Sequence, residues 1–376
     1  MIKAAIKKLV LGEGLGEKEA EEVVGRIIDG KVPSSQVGAL LTALRMKGES
    51  VDEITGAARA LKARLYRFQL NNHLVNLDRD DINFEEETII EVSDTGVNGT
   101  QIFNVSAATT FVVAGSGRRI ARYGNKMSSR FLGTADVLER LGINLDISSS
   151  DVERCIEEVG IGLMFSPMQH GPMRSVARIR TEMGIRTIFN LVNPLANPAN
   201  ASSHMLGVYE ADLTDTIARV IRRLGGKEAL VIFGEETHDE LSLCGSTKVS
   251  HLRDGDIHTF DIEPENYGFQ RVGPEALKGG SVNKNAAIVM AILDGEKGPR
   301  RDMVLLNAGA ALWAAGETPS LEEGIKRAID IIDAGQAKEK LEALIEFTNQ
   351  CAAYERDASV FHYGSHTGAK NVAGSI

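Results

Sequence analysis

The sequence predicts an α/β protein: a small N-terminal helical domain, then a larger α/β domain with a mostly parallel central sheet. Three observations carry this. The first ~65 residues show only helical periodicity, short apolar runs alternate with helical stretches from Thr88 onward, and the chain returns to helices after about Val282. At 376 residues the chain is long enough for one large core and a smaller one. The expected division is 1–65 as the helical domain, joined by part of 165–200, then 66–350 as the α/β domain and 351–376 as a tail.

Ala20, Val23, Val24, Ile27 and Ile28 form a stripe at helical spacing that Gly30 ends. Pro33-Ser34-Ser35 opens a second helix with Val37, Leu40, Leu41 and Leu44 on its apolar face, and Gly48 stops it. Ser50 with Glu53 is a capping-box pattern, followed by Ile54, Ala58, Leu61 and Leu65 on one side. Such short helices cannot bury a face singly, so a bundle is expected, with a leftover stripe for a partner subunit. Residues 66–87 are polar and read as a linker or surface excursion. Beyond them Thr88–Val92, Arg119–Ala121, Gly160–Phe165, Arg186–Leu191, His204–Tyr209 and Ala229–Phe233 read as strands. Helices are expected at Ala107–Val113, Ala135–Leu141, Ser150–Val159 and Leu213–Leu224, and Met303–Ala315 is apolar enough to require burial. Cys351 to Ile376 lack periodicity and read as a loose tail.

Composition excludes several classes. No run approaches the ~18 apolar residues of a membrane span, and Met1–Lys8 is too polar for a signal peptide, so a cytoplasmic protein is expected. Cys155, Cys244 and Cys351 fit neither a disulfide framework nor a zinc spacing and read as reduced thiols. A formal charge of −10 argues against nucleic acid as a partner, though a local basic pocket or magnesium would still permit a phosphorylated substrate.

In an open α/β sheet ligands gather at the carboxyl ends of the strands. Three loops lie at such ends. Ser93–Ser106 contains Gly96 and Gly99 and runs into a helix, where free N–H groups and a positive dipole suit an anion; a plain strand-to-helix turn capped by Asn104 fits equally well. Arg122–Arg130 combines cations with Asn125, Ser128 and Ser129, as would a solvated basic loop. Glu235–Glu240 offers adjacent carboxylates for a hard cation such as Mg²⁺, or a plain acidic surface run. His170 follows another expected strand and either lines the pocket or is structural. Arg178, Arg180 and Arg186 could fork onto a carboxylate or phosphate, or lie on a helix surface.

Together these segments resemble the anthranilate phosphoribosyltransferase family, which shares its fold with the pyrimidine nucleoside phosphorylases. The resemblance runs in order from about residue 15 to 350 through Ala43–Glu49, Gly133–Glu139, Gly184–Asn190, Asn193–Pro198, Asp239-Glu240, Asn285–Ile288 and Gly295–Pro299. It implies transfer of a phosphoribosyl group from phosphoribosyl pyrophosphate to an aromatic amine such as anthranilate, with release of pyrophosphate, Mg²⁺ as cofactor, and a homodimer formed through the helical domain. It also implies that Thr95, Gly96, Gly99, Asn104 and Ser106 meet the donor, that Asn125 and Arg180 meet the acceptor, and that Asp239 and Glu240 hold magnesium. By their places in the same loops Asn98 and Arg122 are added to the donor side and His170 to the acceptor side.

The sequence departs from the family where ligands would sit. Gly-Thr-Gly-Gly-Asp-Gly becomes Asp94-Thr95-Gly96-Val97-Asn98-Gly99, and Asn-x-Ser-Thr ends in Ala107. Lys-His-Gly-Asn becomes Arg122-Tyr123-Gly124-Asn125, and Gly-Pro-Leu becomes Asn193-Pro194-Leu195. Two readings follow: the same reaction on anthranilate or another aromatic amine, or a non-catalytic paralogue that binds through the old pocket.

Overall fold

The computed structural model describes all residues except 69, 71–72, 79–80, 87, 96–101, 125–132, 166–173 and 365–376. Four helices come first: α1 (Ile2–Val10), α2 (Glu17–Ile28), α3 (Ser34–Lys47) and α4 (Val51–Lys62). Helix α1 adds one to the expected three, because Ile2, Ala5 and Leu9 form a short buried stripe. The Ser50 capping box forms: Glu53 N–H donates to Ser50 Oγ at 3.3 Å and Ser50 N–H to Glu53 Oε2 at 2.8 Å. Glu53 is fully buried and also meets Lys47 Nζ at 2.9 Å, which satisfies its charge. Helices α2 and α4 cross closely at Gly56, where a Cβ would lie 2.2 Å from Glu17 O.

The excursion contains a hairpin, β1 (His73–Asp78) paired antiparallel with β2 (Asp81–Glu86). The large sheet then begins with β3 (Ile89–Asp94), followed by α5 (Val105–Gly115), β4 (Arg119–Tyr123), α6 (Thr134–Arg140), α7 (Ser149–Glu158) and β5 (Ile161–Met164). After α8 (Arg174–Met183) and α9 (Ile188–Leu195) come β6 (Ser203–Gly207), α10 (Leu213–Arg223), β7 (Glu228–Gly234), β8 (Thr247–Arg253) and β9 (Asp256–Ile262). Four helices close the fold: α11 (Val282–Leu293), α12 (Pro299–Ala314), α13 (Leu321–Asp333) and α14 (Gln336–Gly364). The sheet order is β5-β4-β3-β6-β7-β8-β9, with β3 to β7 parallel and the last two strands antiparallel. The apolar α12 is buried against α5, β6 and β7, as its composition requires.

Three expectations are corrected. Arg186–Leu191 is no strand: Thr187 is an N-cap and α9 starts at Ile188. Its apolar residues come in pairs, Ile188-Phe189 and Leu191-Val192, too short to fix a period, and packing against α4 decides for the helix. Helices α8 and α9 both pack on the N-terminal bundle. Strands β8 and β9 went unread, although Asp254-Gly255, with φ of 53° and 84°, is a two-residue hairpin turn of the Asp-Gly type. The stretch from Cys351 continues α14 to Gly364 rather than forming a loose tail.

A buried polar staple returns the chain from α9 to the sheet. Asn197 donates through Nδ2 to the Glu91 carboxyl on β3 and, at 2.8 Å, to Ala121 O on β4; its Oδ1 accepts from Ala199 N at 2.8 Å. Glu91 is completely buried and also accepts from Tyr123 N at 3.4 Å. Burial raises its pKa from 4.5 to about 8, against the opposing effects of Asn197, Tyr123 N–H and the Arg122 charge. A raised carboxyl favours the folded state below its unfolded value and loses that contribution as pH climbs to the folded one. Stability is therefore expected to decline between pH 4.5 and about 8 through this group. Glu91→Gln should flatten that slope in thermal melts taken across the range; an unchanged slope would remove the assignment.

Candidate active site

The neighbours of β3 are β4 on one side and β6 on the other, and the chain leaves β3 toward β4 before returning to β6. The carboxyl ends of β3 and β6 thus flank the topological switch point, where open parallel sheets bind ligands. Asp94 pairs in register with Gly207, and Thr95 N donates to Gly207 O at 3.0 Å. Thr95 is buried, and its Oγ1 has no hydrogen-bond partner among the described residues.

Helix α5 starts at this point. Asn104 caps it, accepting from Ala107 N at 2.9 Å, while its Nδ2 donates to Thr134 Oγ1 at 3.1 Å. Beneath the first turn lies Arg122, only 3% exposed. Its Nη1 donates to Ser106 O and Thr110 Oγ1, both at 2.9 Å, and its Nη2 to Ser106 Oγ at 3.3 Å. Asp94 Oδ2 lies 3.9 Å from the same Nη2, so the carboxylate that replaces the family's glycine faces a cation. Burial lowers the Arg122 pKa, opposed by the charges of Asp94, Glu240 and Glu91.

The acidic pair follows β7. Gly234 and His238 exchange backbone bonds of 2.7 Å, and Glu236 and His238 take φ of 63° and 56°, which turns the chain sharply. Thr237 Oγ1 then donates to Glu240 O at 2.9 Å. Asn307 on α12 is buried and pins the next residue, accepting from Leu241 N at 2.9 Å and donating to Leu241 O at 3.0 Å. Gly207 is required here, because a Cβ would stand 1.9 Å from Asp239 O. Glu240 is buried and accepts from the Ser106 backbone N–H. Burial, then the nearby charges of Asp239 and Asp94, push its pKa well above the usual range, with Arg122 opposing. A carboxyl held this way takes up a proton or a cation. Among the described residues no cluster of three or more His, Cys, Asp or Glu forms a complete metal site. The hard-oxygen pair Asp239–Glu240 fits magnesium, which keeps water and substrate phosphate oxygens as its other ligands.

Arg180 on α8 is 7% exposed, and burial lowers its pKa to about 10. Its Nη2 donates to Asn190 Oδ1 at 3.1 Å, its guanidinium carbon lies 5.8 Å from the Phe189 ring centre, and Nε has no partner among the described residues. Asn190 Nδ2 in turn donates to Thr95 O at 3.4 Å. One turn along α9, Asn193 keeps a buried Oδ1 with no partner among the described residues. Arg186 lies elsewhere, over the Tyr209 ring at 4.4 Å, and Arg178 is an exposed partner of Glu182.

The candidates form two groups: Arg180 reaches Thr95 through Asn190, while Asn104, Ser106, Arg122 and Glu240 are bonded together at the α5 start. Asp94, next to Thr95 in the chain and 3.9 Å from Arg122, lies between them, and Asp239 stands at the edge through Gly207. Gly96, Asn98, Gly99, Asn125 and His170 lie outside the described residues. Asn190, Asn307 and Glu91 received no role from the sequence; only the motif Gly184–Asn190 marked one of them. Arg122→Ala would leave Ser106, Thr110, Asp94 and Glu240 facing an unfilled space, and is expected to destabilise the fold by about 3 kcal/mol. Denaturant unfolding checks this; a change below about 0.5 kcal/mol would show that the guanidinium supports nothing.

Two family descriptions match the chain: "Glycosyl transferase family, helical bundle domain" over residues 3–64 and "Glycosyl transferase family, a/b domain" over residues 86–338. The anthranilate phosphoribosyltransferase of Trichlorobacter lovleyi is 45% identical over 349 residues, covering 93% of this chain and all of the relative. That of Syntrophotalea carbinolica is 46% identical, covering 93% and 99%. Among solved structures, the Thermus thermophilus anthranilate phosphoribosyltransferase superposes with a TM-score of 0.82 at 36% identity, over 92% of this chain and 99% of that one. The Saccharomyces cerevisiae enzyme in complex with PRPP and Mg gives 0.81 at 25% identity, over 93% and 98%. With its helical bundle, mostly parallel sheet and polar network at the switch point, this chain belongs to the anthranilate phosphoribosyltransferase family of transferases.

Proposed function

We propose that the chain moves a phosphoribosyl group from phosphoribosyl pyrophosphate to the amine of anthranilate or a close aromatic amine, with Mg²⁺, as in tryptophan biosynthesis. The observation that carries this reading is the meeting of two polar groups at the switch point, Arg180–Asn190–Thr95 on one side and Asn104, Ser106, Arg122 and Glu240 at the α5 start on the other, with Asp94 between Thr95 and Arg122.

Cleavage at the anomeric carbon builds positive charge on the ribose and negative charge on the departing diphosphate. The α5 N-terminus turns the positive end of its dipole toward that anion. Asn104 and Ser106 add hydrogen-bonding side chains, and Thr95 Oγ1 at the end of β3 is a donor with no partner among the described residues. Arg122 acts mainly from below, holding Ser106 in place and balancing Asp94. Asp239 and Glu240 would hold magnesium, which when bound neutralises the leaving group's charge. Arg180 offers its Nε edge to the acceptor's carboxylate, a bond strengthened by burial. An aromatic amine needs little activation, so alignment of the two substrates supplies most of the rate.

Gly96, Asn98 and Gly99 complete the donor side, and Asn125 and His170 the acceptor side, on the strength of the resemblance and of their places in the loops alone. A homodimer through the helical domain is supported by exposed Val10, Leu11 and Met46 on and beside α1 and α3. Cytoplasmic residence accords with three free cysteines and with the lack, among the described residues, of any helix long and apolar enough to cross a membrane.

Calorimetric titration with phosphoribosyl pyrophosphate tests the donor side. Magnesium-dependent binding is expected for the native chain, weakened at least about tenfold in Asp239→Asn. No binding by the native chain at millimolar donor would defeat the catalytic reading in favour of a non-catalytic pocket. Arg180→Ala should raise the acceptor KM by at least about tenfold while leaving the donor KM within about threefold. Equal effects on both would remove its assignment.

A further inference from the structure

Asn190 touches both halves of the site. Its Oδ1 accepts from Thr187 N at 3.1 Å, an ordinary capping bond, and also from Arg180 Nη2 at 3.1 Å. Its Nδ2 points the other way, donating to Thr95 O at 3.4 Å across 95 residues of sequence. The cap needs only the first of these. The other two link the acceptor-side guanidinium to the first residue of the donor loop.

The two ends of this link differ in firmness. Thr95 is a fixed post: its N–H is tied to Gly207 O at 3.0 Å, at the end of the two central strands. Arg180 is buried at 7% exposure, and no carboxylate pairs with it among the described residues. Its side chain is steered by the Phe189 ring and by Asn190. A carboxamide supplies an acceptor for the guanidinium and a donor for the carbonyl from one planar group, without a charge or a titration.

We propose that Asn190 is a positioning residue that sets the acceptor's anchor, Arg180, in register with the phosphate loop beginning at Thr95. This rests on the phosphoribosyl-transfer reading above. The bond that forms joins the acceptor nitrogen to the anomeric carbon, and the bond that breaks frees pyrophosphate. The amine proton leaves to solvent or to the departing diphosphate. Such in-line displacement is steeply sensitive to alignment, and a misplacement of about 1 Å can cost about a hundredfold in rate. Asn190 touches neither substrate in this scheme and acts through Arg180 and Thr95.

Two variants separate this from a purely structural cap. Asn190→Asp keeps an oxygen for Thr187 N and Arg180 but cannot donate to Thr95 O. Asn190→Ser is neutral and too short to span both, which controls for the added charge. The expected result is a kcat at least about tenfold lower in each at saturating donor and acceptor. Donor affinity, measured by calorimetry with Mg²⁺, should stay within about twofold of the native value, and Asn190→Gln should recover part of the rate. A folded Asn190→Asp with native kcat overturns the coupling, as does loss of donor affinity in parallel with kcat. If one variant fails to fold, the other carries the same expectation; if both fail, the residue is structural and the proposal falls. The native chain is assayed alongside: absence of turnover there defeats the transferase reading itself, whereas native turnover with an unaffected variant defeats only the role of Asn190.

Discussion

One guanidinium inside the protein organises the donor side of this site. Arg122 lies beneath the first turn of α5, bonded to Ser106 and Thr110, with the charges of Asp94, Glu240 and Glu91 around it. Burial holds the Glu91 and Glu240 carboxyls toward their protonated forms, so Asp94 is the carboxylate set directly against this cation, at 3.9 Å. Asp94 is tolerable where the family has glycine because it faces this arginine. In the proposed reaction Arg122 is already committed to Ser106, Thr110 and Asp94, and a divalent ion at Asp239–Glu240 would supply the positive charge an incoming diphosphate needs. A substitution that looks hostile in the sequence is thereby matched by a buried cation of the fold.

The remaining precision comes from buried polar groups that fix backbone. Asn307 grips Leu241 and so sets the acidic pair; Gly207 lets Asp239 O approach β6; Asn197 and Glu91 staple the return from the acceptor helices onto β3 and β4. Each is satisfied by partners of good geometry, the condition under which interior polar groups specify structure rather than weaken it. Asn190 extends the same device into the site. The two substrates would meet on elements from different parts of the chain, and amides hold those elements in register.

Much of the fold was legible because it depends on local patterns. The stripes of α2 to α4, the Ser50–Glu53 box and the apolar α12 are all short-range signals, and each is present. The segment 188–192 reads as a strand from its apolar pairs Ile188-Phe189 and Leu191-Val192, which are too short to fix a period, and α4 makes the choice for a helix. Strands β8 and β9 were missed although Asp254-Gly255 announced their turn; β9 is largely exposed, so it lacks the apolar run of the buried parallel strands. Of the site, Asn104 and Ser106 could be placed from their position after a strand, and Asp239–Glu240 from their chemistry. Asn190, Asn307 and Asn197 could not, because their partners lie 95, 66 and 106 residues away and no spacing rule connects them.

The central claim is that the start of α5, the Asp239–Glu240 pair and the buried Arg122 together accept a departing diphosphate despite Asp94. A crystal structure of the chain soaked with phosphoribosyl pyrophosphate and Mg²⁺ tests it most directly. The account predicts the diphosphate at the positive end of the α5 dipole, a magnesium ion between it and Asp239–Glu240, and the Asp94–Arg122 pair intact below. A diphosphate bound elsewhere, or a cleft closed over by the Asp94 carboxylate with Asp239 and Glu240 bare of metal, would contradict it.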